Sequence, residues 1–173
     1  DSTHSLVNEM SNQNLNCEVW TFKLLYPKLF FPGKTQYSKE EFKSDFKIVR
    51  EINTLNPINW IMTAIKINKI GPEKIIFRYW TPLLSLSYFI ISSILNNKII
   101  VIGLVDNWSG HETILFESFF RKLFLQSCDS FISFSENIGE KLKKNTNKSV
   151  LSLFHPINSH LPSKISKGKA LSN

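Results

Sequence analysis

Hydrophobic positions recur along this chain in two alternating rhythms. At Ile99–Leu104 they form an aliphatic, β-branched run with no polar alternation, the pattern of a strand buried on both faces in a parallel sheet. Similar short runs predict strands at Cys17–Phe22, Phe46–Glu51, Lys74–Phe77, Ser130–Phe134 and Val150–Phe154. Helical spacing fills the intervals. Thr3–Gln13 places Leu6, Val7 and Met10 on one face, and Asn14 ends it. Asn56 reads as an N-cap with Pro57 at the first helical position; Ile58, Ile61, Met62, Ile65 and Ile70 follow at helical spacing, and Gly71-Pro72 stops the helix. Leu83–Leu95 reads as a buried helix, too short and too interrupted by serine to span a bilayer. Leu115–Gln126 is predicted helical with Phe116, Phe119, Phe120 and Leu123 inward. Ser135 caps a last helix through about Lys144.

Strands alternating with helices, joined by right-handed crossovers, predict a Rossmann-like three-layer α/β/α sandwich with a mostly parallel sheet. Two segments do not fit the rhythm. Lys23–Ser44 is a long loop with a Pro32-Gly33 turn, and loops of that length inside compact domains tend to carry function. Beyond Pro162 the chain is polar and basic, so residues 163–173 read as a linker following a domain at 1–162.

Composition narrows the class. The 173 residues suffice for one domain with a sizeable core, and 42% hydrophobic content with a mean hydropathy of −0.10 excludes a disordered chain. The net charge of +7 favours anionic partners: nucleotide phosphates or acidic lipid. The charge is spread over many lysines, without an arginine-rich block, so nucleic acid is the weakest of these and is not expected as a partner. Cys17 and Cys128 have no metal-ligand spacing and read as free thiols.

Chemistry is expected where the strands end, because ligands of open α/β sheets sit beyond the carboxyl ends of the strands. There the sequence sets Arg78 and Tyr79, then Asp106, Asn107, His111 and Glu112, then Ser133, Ser135 and Glu136, and finally His155. Arg78 has the planar fork that holds a phosphate or carboxylate, or it pairs with a neighbouring carboxylate. Asp106 and His111 are the candidates to take a proton from a hydroxyl. Asp106 and Asn107 equally suit a simple Asx-turn, and His155 before Pro156 suits a turn. No nucleophile elbow, P-loop or zinc-protease motif is present.

Several of these segments, in order, resemble the N-terminal domain of bacterial family-4 glycosyltransferases, retaining enzymes of the GT-B fold. They are Thr3-His4-Ser5-Leu6, the stretch from Tyr26 to Gln36 containing Pro27, Phe30-Phe31 and Pro32-Gly33, Asn56-Pro57-Ile58-Asn59-Trp60, Phe77-Arg78-Tyr79-Trp80, Asp106-Asn107 with His111-Glu112, Ser127-Cys128-Asp129, and His155-Pro156-Ile157. The resemblance implies a cytoplasmic two-domain enzyme in which this half shapes the acceptor site and a C-terminal domain, outside this chain, binds the nucleotide-sugar. It implies transfer to a saccharide or lipid-linked acceptor, with no cofactor and no obligatory metal. His111 and Asp106 take the catalytic positions. Arg78, Tyr79, Asn107, Glu112 and Tyr37 contact the acceptor, while Ser135, Glu136 and His155 lie on the donor side. Asp106 stands where many members have His.

The family's domain opens with a strand and a Gly-rich loop that precede the point where this chain starts. The expectation is therefore a fragment, inactive alone, with the strands at Cys17 and Lys74 each exposing an unpaired edge. A non-catalytic module holding an anionic ligand on the same rim is the alternative. The lysine excess and Phe30-Phe31 also suit an acidic membrane surface, with a peripheral location at the inner face of the plasma membrane.

Overall fold

A computed structural model describes residues 2–25, 46–108 and 116–154. The Tyr26–Tyr37 loop, Phe30-Phe31, His111, Glu112, His155 and the tail at 163–173 lie outside the described residues. Within them the order is α1 (Ser2–Asn12), β1 (Glu18–Leu24), β2 (Lys47–Asn53), α2 (Pro57–Ile70), β3 (Lys74–Tyr79), a 3-10 turn at Pro82–Leu84, α3 (Ser85–Ile94), β4 (Ile100–Val105), α4 (Glu117–Ser127), β5 (Ser130–Ser133), α5 (Glu136–Asn145) and β6 (Ser149–Ser152). Every strand pairing is parallel, and the fold is of the Rossmann-like α/β class.

The strands form two sheets, β1-β2 and β3-β4-β5-β6. Among the described residues β1 pairs with β2 alone and β3 with β4 alone. In the larger sheet Phe77, Gly103, Phe131 and Val150 form one cross-strand row, and Tyr79, Val105, Ser133 and Ser152 form the next on the same face. Successive right-handed crossovers in one direction deliver α3, α4 and α5 to that face. Phe77 stacks on Tyr88 of α3 at 4.4 Å, and Tyr79 stacks on Phe124 of α4 at 4.1 Å. Gly103 is required here: a Cβ would come within 2.7 Å of the Phe131 ring and 2.9 Å of Phe124.

The opposite face is less covered. Leu104 is buried, but Ile76, Ile100 and Leu151 are exposed, so the run read as buried on both sides is sealed on one side and partly open on the other.

The Asn56–Trp60 segment does two jobs. Asn56 accepts from the Asn59 N–H and caps α2, Pro57 occupies the first turn, and Gly71 closes the helix at φ 64. Asn59 and Trp60 then clamp α2 to β2. Asn59 Oδ1 accepts from the Asn53 N–H at 2.7 Å, Asn59 Nδ2 donates to the Glu51 carbonyl, and Trp60 Nε1 donates to the Asn53 carbonyl.

Two helix faces differ from the periodic reading. On α2 the buried residues are Trp60, Thr63, Ala64 and Ile67, while Ile58, Ile61, Met62, Ile65 and Ile70 are exposed. On α4 the buried residues are Phe124 and Ser127; Phe116 and Phe119 face outward. The hydrophobic stripe on each helix spans more than half its circumference, and the side pressed inward is chosen by what packs there. At the end of α4, Lys148 Nζ donates to the carbonyls of Leu125 and Cys128, satisfying acceptors the helix leaves open. Among the described residues no helix is long and apolar enough to cross a membrane.

Candidate functional site

Register alignment brings the ends of β3, β4 and β5 to one edge. Tyr79 pairs with Val105 and Val105 with Ser133, so Arg78, Asp106 and the Ser133–Glu136 segment share that rim. Its centre is Arg78. Nε donates to Asp106 Oδ2 at 2.5 Å and Nη2 donates to Oδ1 at 3.1 Å, a two-pronged pair between neighbouring strands. Nη1 reaches across to donate to the Thr3 hydroxyl of α1. The Tyr88 hydroxyl donates to the Arg78 carbonyl at 2.9 Å, fixing the backbone beneath the side chain. About a quarter of each charged side chain remains exposed, at 25% for Arg78 and 23% for Asp106, so the pair is a partly solvated rim feature.

Arg78 thus pairs with a neighbouring carboxylate. Its Nε and one terminal nitrogen go to Asp106 and the other terminal nitrogen to Thr3. Asp106 has given both oxygens to the guanidinium, which suits it to positioning Arg78 more than to abstracting a proton. Asn107 follows, half-buried.

Tyr79 requires a correction. Expected on the rim, its side chain is 1% exposed and lies in the core against Phe124 and Trp108. Successive residues of a strand face opposite ways, so Arg78 on one face of the sheet places Tyr79 under the helix layer on the other. Burial pushes the Tyr79 phenol up to about 12, with the neighbouring Ser85 hydroxyl and Arg121 pulling weakly the other way. The Tyr79 and Ser85 hydroxyls are close but not aligned into a formed hydrogen bond.

Ser135 occupies the N-cap position of α5, but its side chain makes no capping hydrogen bond. Its carbonyl instead accepts from the Ser133 hydroxyl at 3.0 Å and from the Gly139 N–H. Glu136 is exposed in the first turn of α5. His111, Glu112, Tyr37 and His155 lie outside the described residues.

Two contributions escaped the sequence reading. Thr3 was noticed only as part of a helix start, yet it ties α1 to Arg78. Arg121, in the middle of α4, sits over the Trp108 ring at 5.5 Å and pairs with Glu117, bracing the residues that follow β4. Nothing local marks Arg121; its partner Trp108 comes from a different element.

Cys128 is a buried free thiol and desolvation raises its pKa, which keeps it protonated and unreactive. Asp129 beside it accepts from the Val101 N–H at 2.8 Å, so the Ser127-Cys128-Asp129 segment is structural. Among the described residues no group of His, Cys, Asp and Glu could hold a metal ion. No family model matches the chain, and neither a curated protein nor a solved structure does.

Proposed function

We propose that this chain is the acceptor-side half of a two-domain glycosyltransferase that moves a sugar from a nucleotide-sugar to a saccharide or lipid-linked acceptor with retained configuration. The observation that carries the reading is the Arg78–Asp106 pair at the carboxyl ends of adjacent parallel strands, on the rim that also holds Ser135 and Glu136. That edge is where α/β sheets place ligands. In this reading Asp106 and Thr3 hold the Arg78 guanidinium in one plane at the acceptor side of the rim. His111 and Glu112, in the segment that follows Trp108, supply the proton acceptor and the sugar contact. Nucleotide-sugar binding belongs to the second domain.

One observation favours a second reading, a binding module without chemistry: Asp106, the proton acceptor expected on this rim, has both oxygens committed to Arg78. A fusion separates the two. Residues 1–162 joined to a family-4 donor domain should transfer sugar. His111→Ala in that fusion should lower turnover by about 100-fold or more while the melting temperature stays put. A fusion that folds and binds acceptor saccharide but never transfers it establishes the binding module instead.

A further inference from the structure

We propose that the outer surface of the α2–α3–α4 layer docks on an anionic membrane surface. The three helices pack side by side, α2 on α3 and α3 on α4. Their outward positions are apolar. On α2 the stripe opposite the buried face runs Ile58, Met62, Ile65, with Ile58 at 73% exposure. Leu86 continues it on α3 and Phe119 on α4, and Phe116, at the N-cap of α4, is 70% exposed. A monomeric surface seldom carries so many large apolar side chains on adjacent helices without a purpose.

Charge identifies the occupant. Lys69 extends the α2 stripe by one turn, and Lys122 stands beside Phe119; both are exposed. Across the three helices Glu117 is the only carboxylate, against Lys66, Lys69, Arg121 and Lys122; Arg121 pairs with it and Lys66 with Glu51 of β2, which leaves Lys69 and Lys122 on the outer surface. Apolar residues flanked by lysines on a helix face match a lipid interface, where the aliphatic part enters the headgroup boundary and ammonium groups meet anionic lipid. A second copy fits poorly, because two chains of net charge +7 would bring like-charged faces together.

Position supports the same occupant. Helices that return from a parallel strand start at its carboxyl edge, so Ile58, Leu86, Phe116 and Phe119, all near helix starts, gather at one end of the helix layer. The docking itself does not rest on the proposed sugar transfer.

The test is cosedimentation of the full chain with phosphatidylcholine vesicles, with or without about one third phosphatidylglycerol. The chain should pellet with the anionic vesicles at low salt, remain in solution with neutral ones, and be largely released at about 0.5 M salt. Ile58→Glu should weaken binding about tenfold, and Lys69→Glu about fivefold. Both positions are exposed, so unchanged circular dichroism is expected. Ile48→Glu, exposed on β2, should bind like the wild type. Failure to pellet, wild-type binding by Ile58→Glu, or a dimer in sedimentation velocity that Ile58→Glu dissolves would each overturn the proposal. Because the assay reads docking without transfer, its failure leaves the sugar-transfer reading standing, and the converse holds too.

Discussion

The two sheets are built from similar residues and end up in different physical states. β1 and β2 carry Val19, Trp20, Phe22, Ile48, Val49 and Ile52, yet only Ile52 is buried, Ile48 is 43% exposed, and the register shifts twice. In the four-stranded sheet the registers run without a shift, and Tyr79, Val105 and Phe131 are almost completely enclosed. A two-stranded ribbon has little surface to bury and is marginal by itself, while each added strand and crossover helix seals its neighbours. Burial is thus conferred by what arrives from elsewhere in the chain, and among the described residues the small sheet leans on α2.

The largest effect should come from matched deletions. Phe131→Ala removes a side chain packed between Gly103 and Phe124 and should cost about 3–5 kcal/mol. Ile48→Ala, on the small sheet, should cost under about 1 kcal/mol. Urea denaturation of both variants measures the gap. Equal losses would mean that the contrast drawn from exposure is false.

The next effect tests the reliance on α2. Asn59 both accepts from Asn53 and donates to Glu51. Asn59→Ala leaves those two backbone groups without their partners, a loss of about 1–3 kcal/mol. Hydrogen exchange should show faster opening of β2 amides with little change at β4, since local stability varies across a structure. Uniform acceleration through both sheets would show that α2 supports the whole fold and not the small sheet in particular.

How much of this was legible follows the same division between local and imported. The cap at Asn56, Pro57 and the stop at Gly71 act within one helix turn, and the structure has them as read. The strands at Lys74, Ile99 and Ser130 are there because continuous aliphatic runs admit few other conformations in a parallel sheet. The faces of α2 and α4 were not legible. Ile58, Met62 and Ile65 are as apolar as Trp60, Ala64 and Ile67, and only the placement of β2 and α3 decides between them. The rim was half legible: Arg78 and Asp106 were both marked, but that they would consume each other depends on strand register. Tyr79 was misplaced for want of the face assignment that register provides. Thr3 and Arg121 act on residues from other elements and leave no local trace.

The smallest effect concerns a charged contact that joins the two strands of the small sheet. Lys47 Nζ lies 2.9 Å from Glu18 Oε1, and Trp20 Nε1 donates to Oε2. Hydrogen bonding by Lys47 first, then by Trp20, holds the Glu18 carboxyl below its usual pKa. A carboxylate depressed in the folded state stabilises above its unfolded pKa and loses that contribution as pH falls through the folded value. The Lys47 and Glu18 side chains are 64% and 30% exposed, so solvent screens most of the gain. Glu18→Gln should therefore shift stability at neutral pH by less than about 0.5 kcal/mol, and by nothing measurable at high salt. Thermal melts at pH 7 and in acid, with and without added salt, check this. A larger salt-sensitive loss would mean that the pair pins the β1–β2 register, and the small sheet would then hold itself together electrostatically instead of leaning on α2.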